Sequence, residues 1–389
     1  MSNDNLNIII DFGSSKVRMG VFEKENSKNL FSIEKKSISN LTLDDFNIDS
    51  SKNLIKDLIK IAEKKINKHI NNIDLLIDTP DMFSIDLSLR KKTDNKTSIK
   101  KEIHTLLIDA KNIVQNNYNN KKIIHIIVKK FICDDKEFFE LPKEDIEFNS
   151  IIVEIKFICF SNVIFEILKK NFNDIYLSIN NIFCSSYVRS SSCNLIFDNF
   201  KKKVVLDIGY KKSAITIFEL NKLQYFNILP IGGKHITTDI SKILKITEDA
   251  AENIKQSFNQ SNTTFLDIND SDNKDIKETD LTNQIIFARI QEIIELNLSN
   301  RYFKNFFDKK NSCILVFIGE GSKILNKNSI YLEEKFDLFD EINFFEENSK
   351  IICETGLNYL ETIKPLEVNF LQKKPKNKGF FEKIFHFFS

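Results

Sequence analysis

The sequence contains no tryptophan, only nine glycines and five prolines, and a formal net charge of +1 over 389 residues. Proteins that bind nucleic acid over a whole face are strongly basic, so no nucleic-acid partner is expected. The six cysteines never form a close Cys-x-x-Cys pair, and a metal or redox site of that spacing is not indicated. No secretory signal opens the chain, so we expect reduced thiols in a cytosol. The length suffices for more than one domain with a large core.

No apolar run approaches the roughly 20 residues that span a bilayer. The last stretch, GFFEKIFHFFS at 379–389, is nevertheless unusually apolar, and as a helix its apolar side chains fall within an arc of about 160°. Residues 366–378 before it form a flexible basic linker, which favours a surface of anionic lipid. The stretch therefore predicts an amphipathic membrane-targeting helix, and a terminal helix docked on the core is the alternative. The predicted membrane face consists of Phe380, Phe381, Ile384, Phe385, Phe387 and Phe388.

One stretch of the chain is repeated. Residues 8–23, IIIDFGSSKVRMGVFE, align without a gap with residues 204–219, VVLDIGYKKSAITIFE. Each copy predicts an apolar strand ending in an aspartate, Asp11 or Asp207, then a tight glycine turn and an alternating strand. Two copies of one such unit predict two similar domains that face each other.

The chemistry of these hairpins suits a nucleotide. A glycine turn lets backbone N–H groups approach an anion, and an aspartate beside it can hold the water shell of Mg²⁺. Two hairpins, one per domain, would hold a nucleoside triphosphate from both sides. A third segment, CILVFIGEGSKIL at 313–325, predicts an apolar strand, a glycine turn and a helix start that could seat a nucleoside. A plain strand-to-helix turn is the alternative there.

The two hairpins and the glycine loop resemble the actin, Hsp70 and sugar-kinase superfamily, and within it the chain most resembles the FtsA family of bacterial cell-division proteins. Three further stretches carry that resemblance: LPIGGKHITTDISKILKITEDAAENIKQSF at 229–258, IIFARIQEIIELNL at 285–298, and KKIIHIIVKKFICDDKEFFELPKED at 121–145. The third is similar to the subdomain that this family inserts. The resemblance implies an α/β, actin-like (RNase H-like) two-domain fold with an inserted 1C subdomain and a C-terminal amphipathic helix.

The resemblance also implies an interleaved domain order. The expected units are subdomain 1A at 1–83 and 164–195, inserted subdomain 1C at 84–163, subdomain 2A at 196–230 and 306–365, subdomain 2B at 231–305, the linker at 366–378 and the helix at 379–389.

By the same resemblance the cofactors would be ATP and Mg²⁺, with Asp11 and Asp207 holding the metal through water. Lys211 or Lys212 could pair with a phosphate, or both could point to solvent. Glu252 and Lys255 would contact the ribose and base; alternatively, they form an exposed ion pair between residues three apart. The nucleotide-binding set would be Gly13, Ser14, Ser15 and Lys16 in the first loop, Asp207, Gly209 and Lys212 in the second, Gly232 and Gly233 at the domain 2 cleft, Glu252 and Lys255 at the ribose and base, and Gly319, Gly321 and Ser322 at the adenine.

Turnover is expected to be weak or absent, and no catalytic residue is assigned. The family often carries a carboxylate before the second loop, but SINNIFCSSYVRSSS at 178–192 has none, so a water would lack an obvious general base.

The resemblance implies a scaffold that binds ATP, self-assembles into filaments and ties the FtsZ ring to lipids on the cytoplasmic side of the inner membrane. Later division proteins would bind through 1C. Subdomain 2B would receive the FtsZ C-terminal peptide, with Arg289 and Glu292 as candidate contacts or, alternatively, as part of a solvated helix face. A pilus-assembly actin-like ATP-binding protein and a catalytic ATPase of the same fold are the alternative functions.

Overall fold

The structure is a computed structural model, which describes residues 5–36, 48–92, 98–143, 148–258, 274–299, 312–325 and 334–363. The predicted linker and amphipathic helix, 366–389, lie outside these ranges. The strands are β1 (Leu6–Phe12), β2 (Lys16–Glu23), β3 (Asn29–Lys36), β4 (Asn72–Ile77), β5 (Phe83–Lys92), β6 (Lys121–Cys133), β7 (Lys136–Phe138), β8 (Ser150–Ser161), β9 (Ser178–Cys184), β10 (Lys202–Ile208), β11 (Ser213–Glu219), β12 (Lys222–Leu229), β13 (Cys313–Ile318) and β14 (Glu341–Phe344).

The helices alternate with these strands. They are α1 (Ile48–Ile66), α2 (Ile99–Asn117), α3 (Asn162–Asn173), α4 (Ser185–Ile196), α5 (Gly233–Leu244), α6 (Glu248–Phe258), α7 (Lys274–Leu298) and α8 (Ser349–Asn358), with 3-10 turns at Glu320–Ile324 and Glu334–Leu338 and a π-helical turn at Tyr359–Ile363. The helix start predicted after β13 is the first of these 3-10 turns.

Two five-stranded sheets share one topology. Their strand orders are β3-β2-β1-β4-β9 and β12-β11-β10-β13-β14. In each, three consecutive antiparallel strands are followed by two strands parallel to the first of the three. The central strands β10 and β13 are buried along their whole length, as expected for strands covered on both faces. The repeated stretches form β1–β2 and β10–β11, so the predicted duplication of one unit is confirmed.

The parallel strands end at a common edge in each sheet. Asp11 and Asp207 lie near the carboxyl ends of β1 and β10, Asp78 directly follows β4, and Gly319 directly follows β13. Helix α4 begins at Ser185, directly after β9. The carboxyl ends of parallel strands are the usual ligand-binding edge of such sheets. The topology thus brings both repeats and the glycine loop to one side of the molecule.

A third, antiparallel sheet of order β5-β8-β6-β7 is formed by residues 83–161 and is covered by α2. It contacts the second five-stranded sheet, where the Ser84 hydroxyl donates to the carbonyl of Phe226 in β12 at 2.9 Å. This stretch is the one expected to form inserted subdomain 1C. That assignment and the other domain bounds stay predictions.

All six cysteines are free and buried. Burial raises the pKa of Cys184 and Cys159 to about 12, which keeps both thiols protonated and unreactive. In the described part of the chain, no helix has the length and apolarity needed to span a membrane.

Candidate nucleotide-binding cleft

A cavity of about 440 Å³ lies where the carboxyl ends of the two large sheets meet. This volume is within the roughly 300–1,000 Å³ of sites for small molecules and cofactors. Both hairpins and the loop after β13 contribute to its walls. The nine predicted nucleotide-site or metal-site residues that line it are Asp11, Gly13, Ser14, Ser15, Asp207, Gly209, Lys212, Gly319 and Ser322.

Three other predicted residues lie beside the cavity and shape it. The ammonium of Lys16 pairs with Glu320 at 2.7 Å. A Cβ on Gly232 would lie 2.6 Å from the carbonyl oxygen of Gly209, and a Cβ on Gly321 would lie 2.7 Å from that of Ile208. The two glycines therefore allow close packing against the second hairpin.

The amino terminus of α5 holds the second hairpin loop. The N–H of Gly233 donates to the carbonyl of Gly209 at 3.0 Å, and the N–H of Lys234 donates to that of Tyr210 at 2.5 Å. These amides would otherwise be free to bind an anion. The helix therefore stabilises the loop, whose Tyr210 lines the cavity.

Glu252 and Lys255 form the expected pair, with 2.6 Å between Oε2 and Nζ. Lys255 is only 4% exposed, so the alternative of a solvent-exposed pair is wrong for this lysine. Its ammonium also donates to the carbonyl of Gly233 at 3.0 Å and the hydroxyl of Thr237 at 2.8 Å. An ammonium has three donors, and these acceptors use all of them. Contact between this pair and a ribose or base stays a prediction.

The first aspartate is neutralised by an arginine directly across its hairpin. Asp11 and Arg18 are cross-strand partners in the β1–β2 register, and Nη1 lies 2.8 Å from Oδ2. Oδ1 accepts from the hydroxyl of Ser185 at 2.7 Å. Arg18 also donates to Glu320 at 3.1 Å. Burial acts to lower the pKa of Arg18, but attraction by Asp11 and Glu320 outweighs it and the pKa is raised.

The second aspartate is neutralised by an arginine from α4. The residue opposite Asp207 in the β10–β11 register is Ala214, which carries no charge, and Nη1 of Arg189 lies 2.9 Å from Oδ2 of Asp207. Arg189 also binds the carboxylate of Glu347 through both Nε and Nη2. Burial raises the pKa of Asp207, and the attraction of Arg189 opposes that shift.

A third aspartate, Asp78, connects the two halves of the cleft. It accepts from the N–H of Ser186 at 3.0 Å and from its hydroxyl at 2.7 Å. Its Oδ2 also contacts Nζ of Lys212, which comes from the second hairpin. Burial lowers the pKa of Lys212, with attraction by Asp11 opposing. Lys212 thus lines the cavity and points at this carboxylate, and its pairing with a phosphate stays a prediction.

The arrangement does not fit the predicted role of Asp11 and Asp207 as holders of Mg²⁺ through water. Both carboxylates already bind a guanidinium, and a divalent cation beside two guanidinium groups would be repelled. Among the described residues, no group of three or more His, Cys, Asp or Glu side chains could hold a metal ion. We derive no role for a metal from this site.

Sequence patterns could have shown part of what was missed. The hairpin register places Arg18 opposite Asp11, and Asp78 directly follows the apolar strand NIDLLI, a position typical of ligand-binding residues. Arg189 and Glu347 gave no such signal, because 158 residues separate them and only the folded chain brings them together.

The two candidate partner-binding residues lie on α7. Arg289 binds Asp239 of α5 through Nε at 2.6 Å and Glu292 through Nη1 at 2.5 Å. The arginine is therefore held against the neighbouring helix as well as by its own. Peptide binding by this pair stays a prediction.

Known structures with the same architecture define the class of fold. The PilM-PilN type IV pilus biogenesis complex aligns with a TM-score of 0.61 at 11% identity, covering 94% of this chain and 99% of the other. The structure of MreB5 of Spiroplasma citri bound to ADP aligns with a TM-score of 0.50 at 11% identity, again over 94% and 99%. The chain has the actin-like fold, as predicted.

Sequence comparison finds similarity to a group of cell-division proteins. The family model for Cell division protein FtsA matches residues 204–364. Cell division protein FtsA of Streptococcus pneumoniae is 23% identical over 306 residues, 74% of this chain and 64% of that protein. The Bacillus subtilis protein of the same name is 24% identical over 320 residues, 76% and 69%. The chain is thus similar in sequence to proteins of this name, and it spans a little under two thirds of the length of the first of these relatives.

Proposed function

We propose that the cleft binds an adenine nucleotide, ATP, between the two repeated hairpins. The observation that carries this proposal is the convergence of both hairpins and the Gly319 loop on one cavity of about 440 Å³. The related fold of Spiroplasma citri MreB5, with ADP bound, supports an adenine nucleotide. In this pose the phosphates face the two hairpin turns and the nucleoside faces the loop after β13.

The proposed position of the phosphates can be tested by placing a negative charge at the turn of the first hairpin. Ser14 lines the cavity, so Ser14→Glu puts a carboxylate where the phosphates are proposed to lie, and repulsion should weaken ATP binding at least about tenfold. Ser14→Gln has a similar size without the charge and serves as the control. Calorimetric titration of ATP into wild type and both variants measures the effect. Equal affinity of the Glu and Gln variants would contradict the proposed pose.

We further propose that the chain is an actin-like cell-division scaffold. The support is the sequence match to proteins named Cell division protein FtsA, whereas the pilus protein PilM resembles the chain in fold alone. In this role the protein self-assembles, tethers FtsZ to the inner membrane and recruits later septum proteins, with the 83–161 unit as a contact surface. Hydrolysis of ATP is proposed to be slow, since Asp11, Asp78 and Asp207 are each engaged by serine and basic side chains.

Membrane attachment through residues 379–389 is the most direct test of this role. Phe385→Glu places a charge on the apolar face, and the variant should stay in the supernatant when wild type sediments with anionic liposomes. His386→Glu adds the same charge to the polar face and should still sediment. The melting temperatures of all three proteins should agree. If Phe385→Glu sediments like wild type, the segment is no anchor; if it melts well below wild type, the segment is a helix docked on the core.

A further inference from the structure

Two arginines face the cavity with unused hydrogen-bonding capacity. A guanidinium has five N–H donors. Arg18 uses one on Asp11 and one on Glu320, and Arg189 uses two on Glu347 and one on Asp207. Three donors of Arg18 and two of Arg189 thus have no hydrogen-bond acceptor among the described residues. Both side chains line the cavity, and guanidinium groups are well suited to phosphate oxygens.

Most carboxylates of the cleft are already paired with basic side chains. Of the six that line the cavity, five contact a basic side chain: Asp11, Asp78, Asp207, Glu320 and Glu347. The repulsion that a hairpin aspartate would exert on a phosphate is therefore reduced without a metal ion. A guanidinium lies 2.8 Å from Oδ2 of Asp11 and another lies 2.9 Å from Oδ2 of Asp207, so a divalent cation at these aspartates would lie beside two positive charges.

We infer that this cleft takes the phosphate groups of its nucleotide without a divalent metal ion, and that Arg18 and Arg189 supply the positive charge instead. The inference rests on the nucleotide binding proposed above. It also separates this chain from a nucleotide site in which aspartates hold the water shell of a metal. The two arginines have equivalent roles at the two repeats, although one comes from a hairpin strand and the other from α4.

The test compares ATP affinity with and without metal. Calorimetric titration of the full chain in excess Mg²⁺ and in EDTA should give dissociation constants within about twofold of each other, and Mg²⁺ titrated alone should give no binding heat. Binding in Mg²⁺ that falls at least tenfold in EDTA would overturn this inference but leave the proposed nucleotide site intact. If ATP binds under neither condition, both proposals fail.

A variant tests the arginine directly. Arg18→Met removes the cation beside Asp11, so its ATP affinity in EDTA should fall at least tenfold, and part of that loss should be restored by Mg²⁺ acting on the freed carboxylate. Arg90→Met, on the third sheet where Arg90 contacts Ser150 at 3.3 Å, is the matched control and should behave as wild type. Unchanged affinity of Arg18→Met in EDTA would overturn the inference. The comparison on the wild-type chain decides the question even if this variant does not fold.

Discussion

Arg189→Met should destabilise the protein by about 3–5 kcal/mol at neutral pH, the cost of leaving a buried charge without its partner. Two carboxylates lose their counter-charge at once: Asp207 is 3% exposed and the side chain of Glu347 is 5% exposed. Methionine has a similar length, so the loss reflects charge more than volume. Urea unfolding of wild type and variant followed by circular dichroism measures the difference. A destabilisation below about 1 kcal/mol would show that the pair contributes no more than an exposed one.

The destabilisation caused by Arg189→Met should depend on pH in a defined direction. Burial already raises the pKa of Asp207, and removal of Arg189 takes away the attraction that opposed this shift. A carboxyl group whose pKa is higher in the folded than in the unfolded state binds protons on folding, so stability falls as pH rises between the two pKa values. The difference between variant and wild type should therefore be smaller at pH 5 than at pH 7.5. Arg189→Met combined with Asp207→Asn and Glu347→Gln should recover much of the stability, because neither carboxylate that lost its partner is then charged.

The repeated hairpins could be predicted from sequence because their signals are local. Apolar strands, an aspartate and a tight glycine turn lie within 16 residues, and β1–β2 and β10–β11 follow them. The gathering of Asp11, Asp207 and Gly319 at one cavity could also be predicted, because each lies at or next to the carboxyl end of a parallel strand. Local pattern and sheet topology together thus place the candidate site.

The charge pairing could not be predicted in the same way. Asp207 has an alanine opposite it, so nothing in the second hairpin indicates that an arginine neutralises it. Arg189 reaches it from a serine-rich helix that also supplies Ser186, whose Oγ lies 2.8 Å from Oδ2 of Asp207. Such pairs depend on how α4 lies between the sheets. A metal at these aspartates suits the isolated motif, and the neighbouring guanidinium groups, which the motif does not reveal, argue against it.

The same limit applies to the fourth strand of the first sheet. Asp78 directly follows an apolar strand that can be recognised in the sequence. Its partner Lys212, however, lies in the other repeat. The pair joins two segments 134 positions apart in the chain, and the sequence suggested solvent or phosphate for that lysine. The sequence does not show that the carboxylate of Asp78 lies within contact distance of Lys212. The partner of a buried basic side chain in a cleft therefore depends on which carboxylates lie at the neighbouring strand ends.

Among the glycine-to-alanine substitutions near the cleft, Gly319→Ala should destabilise the protein most. Gly319 has φ 89° and ψ 159°, a backbone conformation that is essentially restricted to glycine and costs other residues about 1–3 kcal/mol. An added Cβ would also lie 2.5 Å from Oδ1 of Asp207 and 2.5 Å from the carbonyl oxygen of Ile208. Relief of that contact would move the loop, and overpacking of this kind costs about 1–3 kcal/mol more.

The expected destabilisation is therefore about 2–6 kcal/mol, the sum of these two contributions. Gly233→Ala is the matched control, because its Cβ would meet its nearest neighbour, Nζ of Lys255, at an ordinary 3.6 Å. This control should melt within about 1 °C of wild type, since a change of 1 kcal/mol shifts the melting temperature of even a 150–250-residue protein by only about 2–4 °C.

Because the N–H of Gly319 donates to Glu347 at 3.2 Å, a displaced loop would also disturb the carboxylate that binds Arg189. Gly319→Ala and Arg189→Met should consequently be less than additive when combined, whereas full additivity would show that the loop and the arginine cluster are independent.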